Sequence, residues 1–489
     1  MKTVFAYLPF KSGEGFITLS QNRFAKMRGD NELIYPMTPA MGVTLWSKEG
    51  YDVRFIDAIS ESMTDDEFIQ RLSENNPDLL VYEAKTPTIK QSWVTVGRIK
   101  DALPDIKIAV CGDHVSVLPE ESMENSLLDY VITGGDYDVS MLKLARHIDS
   151  GSGMPPGIYY REDGVVKNTG PYELVEDLDS MPFIDRTIIP WRKYHESWRL
   201  YDEFTYMMAS RGCPYRCTFC SWPQMLYHNK VRFRSVKSVL HEMQMLVAEH
   251  GVREIFFDDD TFTCNREWME EFCDGIVDRG IKVVWSCNGR VDNVDAGILG
   301  KMRAAGCRLI KFGIESASPD TLERIRKGYT IEQVRASFKA AKDVGIMRHG
   351  TVMLGYPWET RGDLRRTIEF VKELDVDTVQ FSIPIVYPGT VLFEEARKNG
   401  WLRFPEGEWE KYDMSVPSLV NPNIPSKEIV ELCSRAWREV YFRPGFIFNK
   451  VMSVRSVPDL KLLLRGGLAV LRGHVSSLGS GGEECGCGS

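Results

Sequence analysis

Phe204-Thr-Tyr-Met-Met-Ala-Ser-Arg-Gly-Cys-Pro-Tyr-Arg-Cys-Thr-Phe-Cys220 carries an apolar run straight into three closely spaced cysteines. The first half reads as a strand over Phe204–Ala209. The second half sets Cys213, Cys217 and Cys220 in a C-x3-C-x2-C spacing within eight residues. Thiolates are the usual ligands of iron–sulfur clusters. A four-iron cluster on three local thiolates keeps one iron open to a small molecule, and an open position separates catalytic from structural metal sites. A structural zinc site or three incidental core cysteines are the alternatives. Zinc needs a fourth ligand, and no second C-x2-C or H-x3-H follows at finger spacing.

From that strand the chain keeps alternating. Further strands are expected at Glu254–Asp258, Lys282–Ser286, Arg308–Gly313, Gly350–Leu354 and Thr378–Ile383. Helical periodicity fills the intervals at Ser238–Glu249, Arg266–Arg279, Val294–Ala304, Ile331–Val344 and Leu364–Glu373. Six β/α units over 201–400 predict a partial (β/α)6 barrel of the TIM type. In such barrels reactive residues sit at the C-terminal strand ends, and Cys213 follows the first strand.

Residues 1–150 show a second alternation, with strands at Thr3–Leu8, Asp52–Ile56, Leu79–Tyr82, Ile106–Cys111 and Tyr130–Thr133 and a helix at Ile89–Ala102. The whole is an α/β chain, and this part predicts a Rossmann-like, doubly wound parallel sheet. Ligands of such sheets sit beyond the C-terminal strand ends. Here those ends carry Pro9, Asp57, Glu83-Ala-Lys-Thr-Pro-Thr88, Gly112-Asp-His114 and Gly134-Gly-Asp136. Residues 151–200, rich in Gly, Pro and Asp, read as a connector or small hairpin.

The bulk numbers narrow the setting. The 489 residues suffice for two or three domains. A net charge of −9 argues against nucleic acid as a partner of the whole chain. Eleven cysteines are too sparse for a secreted disulfide scaffold. No basic segment leads into an apolar stretch at the N-terminus, and no apolar run reaches the roughly 18 residues a membrane span needs. A cytoplasmic, reducing compartment is expected. Residues 401–478 depart from the rhythm as a small, mostly helical, basic region. Arg435–His474 holds eight Lys and Arg against Glu439 and Asp459, a net +6. Lys461, Arg465 and Arg472 share one helical face of an otherwise apolar Leu460–Arg472. A basic amphipathic helix suits peripheral contact with an anionic inner-membrane surface; a helix packed on the barrel with a solvated basic edge is the alternative. The Gly/Ser-rich tail 479–489 is expected to be disordered, Cys485 and Cys487 included.

The cysteine spacing, with Phe219 before the third cysteine, resembles the radical S-adenosylmethionine (SAM) enzymes. The resemblance implies a [4Fe–4S] cluster on Cys213, Cys217 and Cys220 that binds SAM at its open iron. One electron, from an external donor such as flavodoxin or ferredoxin, cleaves SAM to a 5′-deoxyadenosyl radical that abstracts hydrogen from carbon. Asp259 and Asp260, in Phe256-Phe-Asp-Asp-Asp-Thr-Phe-Thr263, match the family's site for the SAM amino group. Adjacent acids at a strand end need a cation to face; a solvated loop is the alternative. Arg290 offers a fork for the SAM carboxylate, or a surface ion pair. Glu315 matches the ribose position, and Gly355, in Gly350-Thr-Val-Met-Leu-Gly355, the adenine segment. Tyr387-Pro-Gly-Thr390 reads as a supporting turn.

The N-terminal domain resembles cobalamin-binding domains, and Thr86, Gly112, Gly134 and Gly135 are the expected contacts. It departs from them in one respect. The D-x-H-x-x-G spacing that supplies a histidine to cobalt is missing, because Asp113 and His114 are adjacent. Cobalamin is therefore expected without a histidine ligand, or is replaced by a bare domain that shapes the substrate cavity. Cys217-Thr-Phe-Cys-Ser-Trp-Pro-Gln224, Trp285-Ser-Cys-Asn288 and Tyr441-Phe-Arg-Pro444 are similar to one subgroup, the hopanoid-biosynthesis-associated radical SAM proteins and calditol synthase. That subgroup implies radical ring formation on a glycosylated membrane lipid. The alternatives are cobalamin-dependent C-methylation, oxidative cyclisation of a tetrapyrrole and, without enzymatic activity, an iron–sulfur electron carrier or sensor.

Overall fold

A computed structural model describes residues 1–10, 16–20, 23–28, 33–413 and 416–467. Five parallel strands open the chain: β1 (Lys2–Tyr7), β2 (Asp52–Asp57), β3 (Leu79–Glu83), β4 (Lys107–Cys111) and β5 (Tyr130–Ile132). β3 is buried at every position, as a parallel strand covered on both faces must be. The segment expected as a connector or small hairpin supplies an antiparallel hairpin, β6 (Ile158–Glu162) and β7 (Val165–Asn168). It extends the same sheet, whose order is β2-β1-β3-β4-β5-β6-β7. The sheet therefore runs past residue 150, where its end was expected. Its direction of winding reverses between β1 and β3, the topological switch point at which doubly wound sheets bind ligands.

The second sheet is β8 (Phe204–Met207), β9 (Glu254–Phe257), β10 (Val284–Gly289), β11 (Cys307–Glu315), β12 (Met347–Met353) and β13 (Thr378–Ser382), all parallel and in sequence order. Helices Val236–His250, Arg266–Asp278, Ala296–Ala304, Ile331–Asp343 and Arg361–Glu373 lie between the strands. All five start at caps where Ser235, Asn265, Asp295, Thr330 or Thr360 accepts a backbone N–H. This is the six-unit barrel read from the sequence. It is incomplete: β13 and β8 are not paired. At the β8 edge Arg186 donates to the Tyr206 carbonyl at 2.7 Å and the Thr205 hydroxyl at 2.8 Å. At the β13 edge the Tyr441 hydroxyl accepts from the Val379 N–H at 2.8 Å and donates to its carbonyl at 3.0 Å.

The C-terminal region is helical, as expected: Ser426–Tyr441, Pro444–Met452 and a run over 457–467. Lys450 pairs with Asp377 just before β13 at 3.0 Å, and Arg465 reaches Asp202 and the Arg199 carbonyl just before β8. The last two helices thus sit at the N-terminal ends of the barrel strands. Arg472, His474, Cys485, Cys487 and the tail 479–489 lie outside the described residues.

Candidate active site at the strand C-termini

The cysteine loop leaves β8 and is held from three sides. Asp259, at the end of β9, accepts from the Ala209 N–H at 3.2 Å and the Ser210 hydroxyl at 2.5 Å. Gln224, in the short helix Ser221–Met225, donates to the Cys217 carbonyl at 2.9 Å and the Cys220 carbonyl at 2.5 Å, and accepts from the Val391 N–H at 3.2 Å. The Thr218 carbonyl accepts from the Leu392 N–H at 3.0 Å. The helix Val391–Asn399, which follows the Tyr387–Thr390 turn, therefore holds the loop through its first two N–H groups. Gly212, at φ +84°, lets the chain pass the Lys230 carbonyl, which a Cβ would meet at 2.1 Å.

Cys213 and Cys217 are buried, Cys220 is partly so, and none is in a disulfide. Burial pushes the Cys213 and Cys220 thiols up. Three buried sulfurs on one loop with no disulfide partner are a donor set that suits an iron–sulfur cluster. The carboxylates of the β9 loop divide their work. Asp259 is spent on the entry to the cysteine loop. Asp260 is partly exposed, lies beside the loop and has no ion-pair partner among the described residues. Burial pushes both carboxyls up to about 7, with repulsion from Asp258 adding to it. An ammonium facing Asp260 would relieve that. Phe257 and Phe262 flank this loop at 4.7 Å and anchor it in a cluster with Phe272 and Trp285.

Glu315 ends β11 at φ +59°, beside a register shift, and pairs with Lys327 at 2.7 Å. Lys327 carried no signal in the sequence; only its place between Arg326 and Gly328, both at positive φ, marks a tight turn. Gly355 sits at φ +108°, and its N–H donates to Glu359 at 2.9 Å. Glu359 also accepts from the Tyr356 N–H at 3.0 Å and the Ser316 hydroxyl at 3.1 Å, so one buried carboxylate ties the ends of β11 and β12 together. The sequence reading passed over it, although a glutamate four residues after Gly355 was visible. Phe219 is partly buried, 5.5 Å from the Lys327 ammonium. Arg290 is engaged with Asp292, at 3.0 and 2.9 Å.

The C-terminal ends of the first sheet face this loop. The Gly135 N–H donates to the Leu226 carbonyl at 3.0 Å, and the buried Lys85 lies 4.3 Å from the Trp222 ring. Arg211, two residues before Cys213, pairs with Asp136 at 2.9 Å and Asp138 at 2.5 Å. A cleft opens at the β1/β3 switch point, lined by Leu8, Pro9, Phe10, Tyr82, Glu83 and Ala84 among others. In the cysteine loop and the short helix after it, the Thr218 hydroxyl and the Trp222 indole N–H are buried without a hydrogen-bond partner. Trp222 lies beside Lys85 at the C-terminal end of β3, so an unpaired donor and a cleft at the switch point are present for a flat, amide-fringed cofactor such as cobalamin. Thr86 lies at this end, and Gly112 there, at φ +124°, packs where a Cβ would meet the Ala84 carbonyl at 2.3 Å. Gly134 and Gly135 are instead covered by the rings of Tyr172 and Tyr227. His114 is buried with both ring nitrogens engaged, Nδ1 with the Thr86 hydroxyl at 3.2 Å and Nε2 with Glu121 at 3.0 Å.

Comparison with known proteins agrees with this geometry. Residues 207–371 match the model of the Radical SAM superfamily, and residues 43–140 that of the B12 binding domain. An uncharacterized methyltransferase of Pyrococcus horikoshii is 31% identical over 425 residues, covering 86% of this chain and 91% of that protein. The anaerobic magnesium-protoporphyrin IX monomethyl ester cyclase of Rubrivivax gelatinosus is 28% identical, covering 81% of this chain and 72% of that one. Among solved structures, the radical SAM methyltransferase TsrM of Kitasatospora setae, with cobalamin and a [4Fe–4S] cluster bound, superposes with a TM-score of 0.71. It does so over 97% of this chain and 100% of that one, at 16% identity, a likeness of fold.

Proposed function

Because the chain belongs to the cobalamin-binding radical SAM enzymes, we propose that it is a methyltransferase acting on carbon, with the cluster on Cys213, Cys217 and Cys220 and cobalamin at the C-terminal edge of the first sheet. The observation that carries this is the facing of the two sites: Arg211, two residues before Cys213, is bonded directly to Asp136 of the cobalamin domain. When bound, the cluster and SAM supply a carbon-centred radical, and cobalamin a transferable methyl group. The protein's part is placement. Asp260 would face the SAM ammonium, Glu315 the ribose and Gly355 the adenine. Cobalamin bound at the first sheet would take no nitrogen from His114, whose ring nitrogens are engaged by Thr86 and Glu121. The electron comes from an external donor such as flavodoxin or ferredoxin.

The test needs no substrate. Anaerobically reconstituted protein, loaded with cobalamin and reduced with titanium(III) citrate so that cob(I)alamin is present, is given SAM deuterated in its methyl group. Mass spectrometry should find the label on cobalamin, and electron paramagnetic resonance of the cob(II)alamin form should show no nitrogen splitting from His114. Formation of 5′-deoxyadenosine with no label on cobalamin would favour a cyclase instead.

Ring formation on a glycosylated lipid is the second reading, and one observation bears on it. Eight of the thirteen large apolar side chains exposed among the described residues fall between 442 and 464, Ile447, Phe448, Val451 and Met452 on one face of Pro444–Met452 among them. Set among basic residues, they suit contact with an anionic bilayer; each nearby Lys or Arg is worth about 1 kcal/mol there. The patch lies at the N-terminal ends of the barrel strands, opposite the cysteine loop. Contact there anchors the enzyme rather than presenting a lipid to the cluster, which favours methylation of a smaller molecule. Phosphatidylglycerol vesicles should sediment the protein, phosphatidylcholine vesicles should not, and Phe448→Asp with Val451→Asp should abolish sedimentation. Equal behaviour of the wild type and the double variant would remove membrane contact. No described helix is long and apolar enough to cross a membrane.

A further inference from the structure

We propose that Arg290 sets the reduction potential of the cluster by placing positive charge and an N–H on the Cys217 sulfur. The proposal rests on the assignment of the three cysteines as cluster ligands.

Arg290 follows β10 and is 6% exposed. Its donors are nearly all accounted for. Nε donates to Asp292 Oδ1 at 3.0 Å, and Nη2 donates to Asp292 Oδ2 at 2.9 Å and to the Lys327 carbonyl at 2.5 Å. The guanidinium carbon lies over Tyr215, 3.6 Å from the ring centre, and Tyr215 is itself fixed by its hydroxyl on Asn293 at 2.6 Å. What remains is Nη1, 3.8 Å from the Cys217 Sγ. The fork that would take the SAM carboxylate is thus closed by Asp292. The free end of the group points at a thiolate. The Lys327 ammonium, beside Phe219 in the same loop, is neutralised by Glu315. Arg290 is thereby the cation in hydrogen-bonding reach of a cluster ligand among the described residues.

Reduction of the cluster adds one electron and no proton, so the reduced state is the more negative. Hydrogen bonds to the ligand sulfurs and nearby charge are among the terms that set cluster potentials, as outer-shell partners tune metal sites in general. A cation donating to Cys217 stabilises the reduced state and raises the potential. Asp292 opposes it by neutralising the guanidinium. The two residues should therefore act with opposite signs, which a merely structural pair would not do.

Potentiometric titration of the reconstituted full-length protein, followed by the electron paramagnetic resonance of the reduced cluster, tests this. Arg290→Gln should move the midpoint to more negative potential and Asp292→Asn to more positive, with iron content equal to the wild type. Midpoints unchanged in both, or shifted in the same direction, would overturn the proposal. Should Arg290→Gln shed its iron, Asp292→Asn decides alone: an unchanged or more negative midpoint there overturns it. Iron bound in full by the triple cysteine variant would instead overturn the ligand assignment.

Discussion

Replacing Cys213, Cys217 and Cys220 together by alanine is expected to abolish iron binding and, with it, all cleavage of SAM. Reconstituted wild-type protein should hold about four irons per chain, the complement of one [4Fe–4S] cluster. The variant should hold none and form no 5′-deoxyadenosine with dithionite. No group of three or more His, Cys, Asp or Glu side chains among the described residues is arranged to hold a single metal ion. The fold should survive, because the loop is also held by Asp259, Gln224 and the Leu392 N–H. Circular dichroism matching the wild type would separate loss of the cluster from loss of structure. Iron retained in full would place the cluster elsewhere.

Asp136→Asn should cost about 3–5 kcal/mol of stability, the range for breaking a buried ion pair from one side. Asp136 accepts from Arg211 at 2.9 Å, from Arg232 through both of its oxygens, and from the Val175 N–H at 2.7 Å. All four charged groups, Asp138 included, are buried. Burial alone would raise the Asp136 carboxyl, but Arg211 and Arg232 hold it below its usual value. Its contribution is therefore present at neutral pH and above its unfolded pKa of about 3.9, and is lost as the pH falls through the lower folded value. The amide is nearly isosteric, so the loss reports charge: Arg211 would keep Asp138, and Arg232 would be buried with no carboxylate. Urea unfolding at pH 7 measures it. A change under about 1 kcal/mol, the worth of an exposed pair, would mean that water reaches the network.

The strands that stand out most clearly in the sequence are those buried at every position, such as β3 and β9. Strands β1 to β5 and β8 to β13 appear as apolar runs within a few residues of their observed ends, and helix Ile89–Ala102 matches at both ends. The hairpin Ile158–Asn168 was harder to see as part of a sheet. It is short, its second strand is largely exposed, and it sits at the edge, where no apolar alternation is required. Charges were visible but their pairing was not. Nothing in the chain joins Asp136 to Arg211 across 75 residues. Composition alone could not divide the roles of Asp259 and Asp260, because adjacent residues differ only in which way the backbone turns each one. The fork of Arg290 was legible as a carboxylate clamp. That Asp292, two residues on, closes it is a matter of local geometry that spacing does not express.

The incomplete barrel has one more consequence. In a closed barrel the girth is written into main-chain pairing, which no side chain can revise. Here the two lips of the gap are finished by Arg186 on the Tyr206 carbonyl and by the Tyr441 hydroxyl on Val379. Each lip is thus finished by a side chain from outside the barrel, one from the connector and one from helix Ser426–Tyr441. Such a slot can be re-cut by point mutation in either flanking segment while the six strands, and the chemistry at their ends, stay as they are. The segments around 186 and 441 are where a change in the size of accepted substrate should be sought, in descent or by design.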